Sequence, residues 1–223
     1  MKVIIIAIAT SPFLVGNALA DNCQTASFAD SQTYQTALAK KKIYFQDDKG
    51  KPTASYIIKG DEVVVVSQQA GKACVDFSTS KSETSGWVAL SDLGPLRKQP
   101  SNVADWEGTF QRDEFGSSIE LTPQKDGKVR ASGEAYWAMS AESAKNGALH
   151  DGSIEDVGEV KDGAAHIGSA AKDGTDCSVD LRLLSNRYLI ATNQGVGYGD
   201  DAKASGCWGA NVTFEGLYVR VNK

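Results

Sequence analysis

"CSVDLRL", residues 177–183, decides the fold class. Cys177, Val179, Leu181 and Leu183 fall on one side of an extended chain, and Ser178, Asp180 and Arg182 on the other. Successive side chains of a strand point to opposite faces, so this period of two marks a strand with one apolar face. Working outward, Ser185-Asn186 separates 176–184 from 187–194, and the two stretches are expected to pair as a hairpin. The same alternation runs through "SIELT" (118–122) and "KVRASGEAYW" (128–137), where Val129, Ala131, Gly133 and Ala135 alternate with polar residues. "LIATN" and "NVTFEGLYVRV" add further strands. Lys-Asp-Gly recurs at 125–127, 161–163 and 172–174, and Asp-Gly suits the positive φ angles of a type I′ hairpin turn. From Trp106 onward the pattern is all strand. About eight strands in meander order can close into an antiparallel barrel and so remove their exposed edges. Each strand is expected to keep one wet face.

The first 20 residues, MKVIIIAIATSPFLVGNALA, join Lys2 to a short apolar run and end in Ala18-Leu19-Ala20. That is the form of a secretory signal peptide cut before Asp21. The run is shorter than the roughly 20 apolar residues a spanning helix needs, so no membrane span is expected in the mature form. Cleavage removes one lysine and takes the net charge from −5 to 22 minus 28, or −6. A mildly acidic chain does not advertise nucleic acid as a partner, and the short basic run Lys40-Lys41-Lys42 reads as a solvated strand end. The four remaining cysteines, Cys23, Cys74, Cys177 and Cys207, are an even number in an exported chain and point to disulfides. Of the three possible connectivities, pairing within each half is expected: Cys23 with Cys74 and Cys177 with Cys207. With no CxxC pair and only His150 and His166 as histidines, neither a metal site nor a cofactor is expected.

Residues 43–93 also read as short strands. "SYIIKGDEVVVVSQ" places β-branched residues around a Lys59-Gly60-Asp61 turn, and "GWVALSDL" closes the segment. Gly60, Asp61, Val63, Gly86, Trp87, Val88, Ser91 and Leu93 match the G-D-x-V turn and the late G-W-V before S-x-L of bacterial SH3 domains. The segment from about 38 to 96 therefore resembles that family, which implies a small β-barrel that binds peptides or cell-wall material and catalyses nothing. Trp87 is expected to plug its core. Four parts follow: a signal peptide at 1–20, an SH3-like domain at 21–96, a linker at 97–104, and a barrel domain at 105–223. The linker rests on "GPLRKQPSNVADW", with Pro95 and Pro100 and no periodicity. Gly108, Thr109, Phe110, Gly127, Val129 and Gly133 are similar to the first hairpin of avidin-like and lipocalin-like barrels. The similarity implies a barrel and carries over no ligand pocket.

Asp176-Cys177-Ser178 matches three of the four residues in the Asp-Cys-Ser-Gly sequence of NlpC/P60-type peptidases. That family needs a helix beneath the thiol and a histidine downstream. Here Val179 replaces the glycine, the following residues alternate as a strand, and no histidine follows Cys177. A cysteine nucleophile needs an activating base, so a bond to Cys207 is expected instead. The hairpin would bring the ends of 195–210 close enough for the roughly 5.5 Å Cα separation a disulfide needs. GxSxG, HExxH and phosphate-binding loops are absent, and the acids Glu107, Asp113, Glu114, Glu120 and Glu134 show no pair spacing. The chain reads as a non-enzyme.

One irregular stretch remains, "NQGVGYGDDAKASGCWGAN" at 193–211. Loops this long in a compact barrel are uncommon and are usually functional or mobile. Tyr198 and Trp208 supply aromatic anchors, and Asp200 and Asp201 acid, so these four are the expected binding residues. The expected function is that of a periplasmic or secreted binding protein, recognising another exported protein, such as a cell-wall hydrolase that it inhibits, or a cell-wall component. A small-ligand carrier using the barrel interior, and a wall-acting hydrolase, are the alternatives.

Overall fold

The computed structural model describes residues 23–79, 82–112, 116–168, 178–194 and 212–221. Its first half is a six-stranded antiparallel sheet of β1 (Gln35–Leu38), β2 (Ile43–Gln46), β3 (Pro52–Ile57), β4 (Glu62–Gln69), β5 (Lys72–Ser78) and β6 (Glu83–Ala89). The strands lie in the order β1-β4-β5-β6-β2-β3. Ala37, Ile43, Phe45, Ile57, Val63, Val65, Ala73, Val75, Val88 and Leu93 bury one face of it. Two motif glycines have local reasons. Gly60 turns between β3 and β4 at φ +93°, a backbone that side chains rarely adopt. At Gly86 a Cβ would lie 3.0 Å from that of Phe45, so β6 can cross β2 closely only without a side chain there.

The second half is a closed barrel of eight antiparallel strands. In chain order they are β7 (Gly108–Gln111), β8 (Ser118–Pro123), β9 (Lys128–Trp137), β10 (His150–Lys161), β11 (Ala164–Ile167), β12 (Ser178–Leu183), β13 (Tyr188–Gln194) and β14 (Gly216–Val221). Every strand neighbours the next, and β14 returns to pair with β7. The expected meander is therefore present, and so is the hairpin of β12 and β13, in which Leu183 faces Leu189. Asp162 and Gly163 take φ of +50° and +73°, as do Asp126 and Gly127 at +61° and +74°. Both Lys-Asp-Gly sites are thus left-handed turn tips; the third, 172–174, lies outside the described residues. The expectation of strand alone after Trp106 is corrected by a short helix, α1 (Ala141–Lys145). Ser140 caps it, its Oγ accepting the Ser143 N–H at 3.0 Å, which satisfies one of the donors a helix start leaves open.

The interior row of the barrel forms one buried cluster that includes Trp106, Phe110, Ile119, Leu121, Val129, Ala135, Val179, Leu181, Leu189 and Tyr218. The outer row of β12–β14 departs from the expected wet face. Leu184, Tyr188, Ile190, Leu217 and Val219 pack against Tyr34 and Val64 of the first half, and Ala26, Phe28 and Val66 lie against the same cluster. Two apolar surfaces meet there, and each large side chain removed from water contributes about 1.5–3 kcal/mol. Tyr188 is fully buried, and its hydroxyl donates to the Glu62 carbonyl at 2.8 Å. Burial pushes its phenol up to about 12. Arg187 lies over Phe77 at 5.6 Å, and Arg182 over Phe28 at 5.9 Å.

The first residues and the connecting segment are fastened to this junction. Cys23 and Cys74 form a disulfide with Cα atoms 5.2 Å apart, tying the segment before β1 onto β5. Next along, the Ala26 N–H donates to Asp76, a carboxylate with no exposure. Burial raises the Asp76 carboxyl. Desolvation, together with the neighbouring Asp76, pushes Glu83 up to about 6 against the pull of Arg112. Within 97–104, Arg97 exchanges backbone bonds with Thr36, and the Gln99 amide donates to the carbonyls of Ser31 and Tyr34.

Candidate functional site

The two ends of the barrel differ. At one end the strands are joined by residues 124–127, 162–163 and 184–187, turns of two to four residues. At the other end lie the strand ends that flank 112–117, 138–149, 168–177 and 195–215, stretches of 6, 12, 10 and 21 residues. An up-and-down meander puts alternate connections at alternate ends, and in this chain every long one falls on the same end.

The tight-turn end is sealed. Val103–Trp106 forms a 3-10 turn, started by Asn102, whose Oδ1 accepts the Ala104 N–H at 3.0 Å. Trp106 is completely buried beneath it. Arg220, on the last strand, lies 4.6 Å over the Phe110 ring. It donates to the carbonyl of Asp105 at 2.8 Å and to those of Asn186 and Glu107. One guanidinium thereby joins β14, the β12–β13 turn and the entry to β7, a fit for its forked donors.

At the long-loop end the described side chains form a rim. Trp137 and His150 are register partners on β9 and β10, with ring centroids 5.4 Å apart in an edge-on arrangement. Met139 follows at 82% exposure, the most exposed large apolar side chain among the described residues. Across the mouth, Asn193 is the clamp of the longest connection. Its Nδ2 donates to Thr213 Oγ1 at 2.8 Å, and its Oδ1 accepts the Phe214 N–H at 3.0 Å. Thr213 Oγ1 also accepts the Glu215 N–H at 3.0 Å. The chain on either side of 195–211 is thus held together at its base. Arg112 adds a donor to the Glu215 carbonyl and stacks 5.5 Å from the Tyr218 ring. On the outside, the Tyr136 hydroxyl donates to Glu134, and that bond raises the phenol's pKa.

The four expected binding residues, Tyr198, Asp200, Asp201 and Trp208, lie outside the described residues, as do Cys177 and Cys207, Asp113 and Glu114. Trp137, Met139 and His150 were not singled out by the sequence, although "YWAM" at the end of an alternating strand is an aromatic, apolar signal. Trp87 is buried, and its Nε1 donates to Asp48 at 3.3 Å. Glu120 and Glu134 sit on exposed strand positions of the barrel wall. His166 Nδ1 and Asp180 Oδ1 are 2.7 Å apart across β11 and β12, on the outer face. Among the described residues no group of three or more His, Cys, Asp or Glu is placed to hold a metal ion, and no helix is long and apolar enough to cross a membrane. The barrel carries charge outward, as at Arg130 and Glu155, 2.9 Å apart, and apolar side chains inward, the reverse of a membrane-spanning barrel. No protein-family model matches the chain, and no curated protein or solved structure does.

Proposed function

We propose that this is an exported, non-enzymatic binding protein whose barrel serves as a rigid scaffold. Its long-loop end recognises another exported protein, such as a cell-wall hydrolase, or cell-wall material. One observation carries the reading: all four long connections gather at one end of a barrel whose opposite end is sealed by Trp106 and Arg220. Binding residues concentrate on loops that a rigid framework positions. The clamp of Asn193 on Thr213 and Phe214 supports the choice of 195–208 within that end. Gly60 and Gly86, each with a backbone reason to be glycine, support an SH3-like reading of residues 38–96. The disulfide of Cys23 with Cys74 suits a periplasmic or secreted location.

A carrier would need space inside the barrel. Val129, Ala135 and Val179, the inward positions such a function would use, are fully buried in one apolar cluster, and this favours the loop end. The test is a pull-down from periplasmic extract, read by mass spectrometry. It compares the parent with Tyr198→Ala, with Asp200→Asn/Asp201→Asn, and with Lys125→Ala at the sealed end. The captured partner should be lost with Tyr198→Ala through faster dissociation, and kept with Lys125→Ala, since aromatic anchors at an interface centre contribute 2 kcal/mol or more. The paired aspartate change should slow association at low salt. Equal capture by all four would remove the loop end from the function.

A further inference from the structure

We propose that the free edge of β3 is a second docking surface, and that it takes an extended, acidic polypeptide segment of a partner protein. β3 is the last strand of the six-stranded sheet and pairs only with β2 among the described residues. Pro52 to Tyr56 are exposed on both faces, so the far side of the strand presents backbone donors and acceptors to solvent. Such a row is a template for another extended chain.

The side chains around this edge define what that chain would carry. Among the described residues five large apolar or aromatic side chains are exposed, and three of them, Tyr44, Tyr56 and Ile58, lie here. Tyr44 and Tyr56 face each other across β2 and β3, with ring centroids 5.7 Å apart. Lys42 places its Nζ over both rings, 4.7 Å and 3.9 Å from their centroids. Residues 40–59 contain six lysines and two aspartates, a net of +4 within a chain of −5, so the remainder carries −9. One of the six, Lys41, is paired with Asp92 at 2.8 Å, and both aspartates accept hydrogen bonds within the fold. Asp47 Oδ1 accepts the N–H groups of Lys49 and Lys51, while Asp48 Oδ1 accepts those of Cys23 and the Trp87 ring. Lys51 and Lys59 stand exposed just beyond the two ends of β3. A segment added along six residues, about 20 Å at strand spacing, would meet a lysine at each end and the Tyr56–Ile58 side chains between. A polysaccharide or an anionic membrane could use the rings and lysines, but neither completes a backbone ladder.

The surface belongs to a different sheet from the barrel mouth, so its failure leaves the loop-end reading intact. The probe is a synthetic decapeptide alternating glutamate with valine, titrated into the purified protein at low salt and followed by calorimetry. Four comparisons accompany it: the same peptide N-methylated at alternate residues, polygalacturonate, phosphatidylglycerol vesicles, and the peptide with the Tyr56→Ala and Lys51→Glu/Lys59→Glu proteins. Circular dichroism should show that these exposed substitutions leave the fold intact. The parent peptide should bind at least tenfold more tightly than the N-methylated one, lose at least tenfold with either variant, and weaken further at high salt. Equal binding of the N-methylated peptide would reduce the site to charge alone and overturn the proposal. So would tighter binding of polygalacturonate or the vesicles, or no binding of the peptide at all.

Discussion

Tyr188 offers a direct measure of how far the two halves depend on each other. It belongs to β13 of the barrel, yet its hydroxyl donates to Glu62 and Ser78 of the first sheet, at 2.8 and 3.4 Å. Tyr188→Phe keeps the ring and removes the hydroxyl that satisfies the Glu62 carbonyl at a buried junction, a loss of about 1–3 kcal/mol. Tyr188→Ala also empties the space of a fully buried ring, and large-to-small changes of that kind cost about 3–5 kcal/mol. A domain of this size shifts its melting temperature by about 2–4 °C per kcal/mol. The expected falls are therefore about 2–12 °C for phenylalanine and about 6–20 °C for alanine. Scanning calorimetry with far-ultraviolet circular dichroism should show one transition in the parent, displaced as a whole in both variants. A double-mutant cycle with Val64→Ala, in the same cluster, should give a coupling of about 0.5–3 kcal/mol. If Tyr188→Ala moves the melt by less than about 2 °C, or splits off a transition at the parent temperature, the two halves do not depend on this junction.

Two further outcomes follow from local geometry. Glu83 has a folded pKa of about 6 against an ordinary 4.5, so folding favours its protonated form. Its contribution to stability is complete below pH 4.5 and is lost as the pH rises through 6. The full shift would correspond to about 2 kcal/mol, and screening at a partly exposed side chain reduces it to about 1 kcal/mol or less. Urea midpoints across pH 4–7.5 should decline in the parent and decline less in Glu83→Gln, where the buried Asp76 still contributes; parallel profiles would count against the assignment. At Gly158 a Cβ would lie 2.2 Å from the His166 carbonyl oxygen and 2.8 Å from Ile167 Cδ1. Because the nearer obstacle is backbone, Gly158→Ala should cost about 3 kcal/mol of overpacking strain, read as a lowered urea midpoint, and an unchanged midpoint would contradict the packing of β10 on β11.

The strands legible in the sequence are those in which inward positions carry a clear apolar signal. β8, β9, β12 and β13 fall where the alternation of "SIELT", "KVRASGEAYW", "CSVDLRL" and "LIATN" places them, within a residue or so. β10 escaped because its inward row reads Gly152, Ile154, Asp156, Gly158, Val160, and the close approach of His166 that forbids a side chain at 158 also erases the hydrophobic period. "RYLIA" and "GLYVRV" contain apolar runs on both faces, the mark of strands buried twice, yet what covers the second face is a sheet more than a hundred residues earlier in the chain. The stretch 195–211, which its glycines and length mark out in the sequence, lies outside the described residues. The pairing of Trp137 with His150 was not legible, because it arises from strand register, which no local pattern encodes.

The seam of the barrel bears on how the chain assembles. Seven of its eight strand contacts join consecutive strands, and the eighth, β14 with β7, sets Val219 beside Gln111, 219 minus 111 or 108 positions away. Closing a loop of that length costs about 4 kcal/mol of chain entropy. The first sheet packs Tyr34 and Val64 against Leu217 and Val219, on the very strand that must find β7. The seam of the ring and the junction between the halves therefore share one strand, so that burial against the first sheet offsets part of the entropy that closure costs.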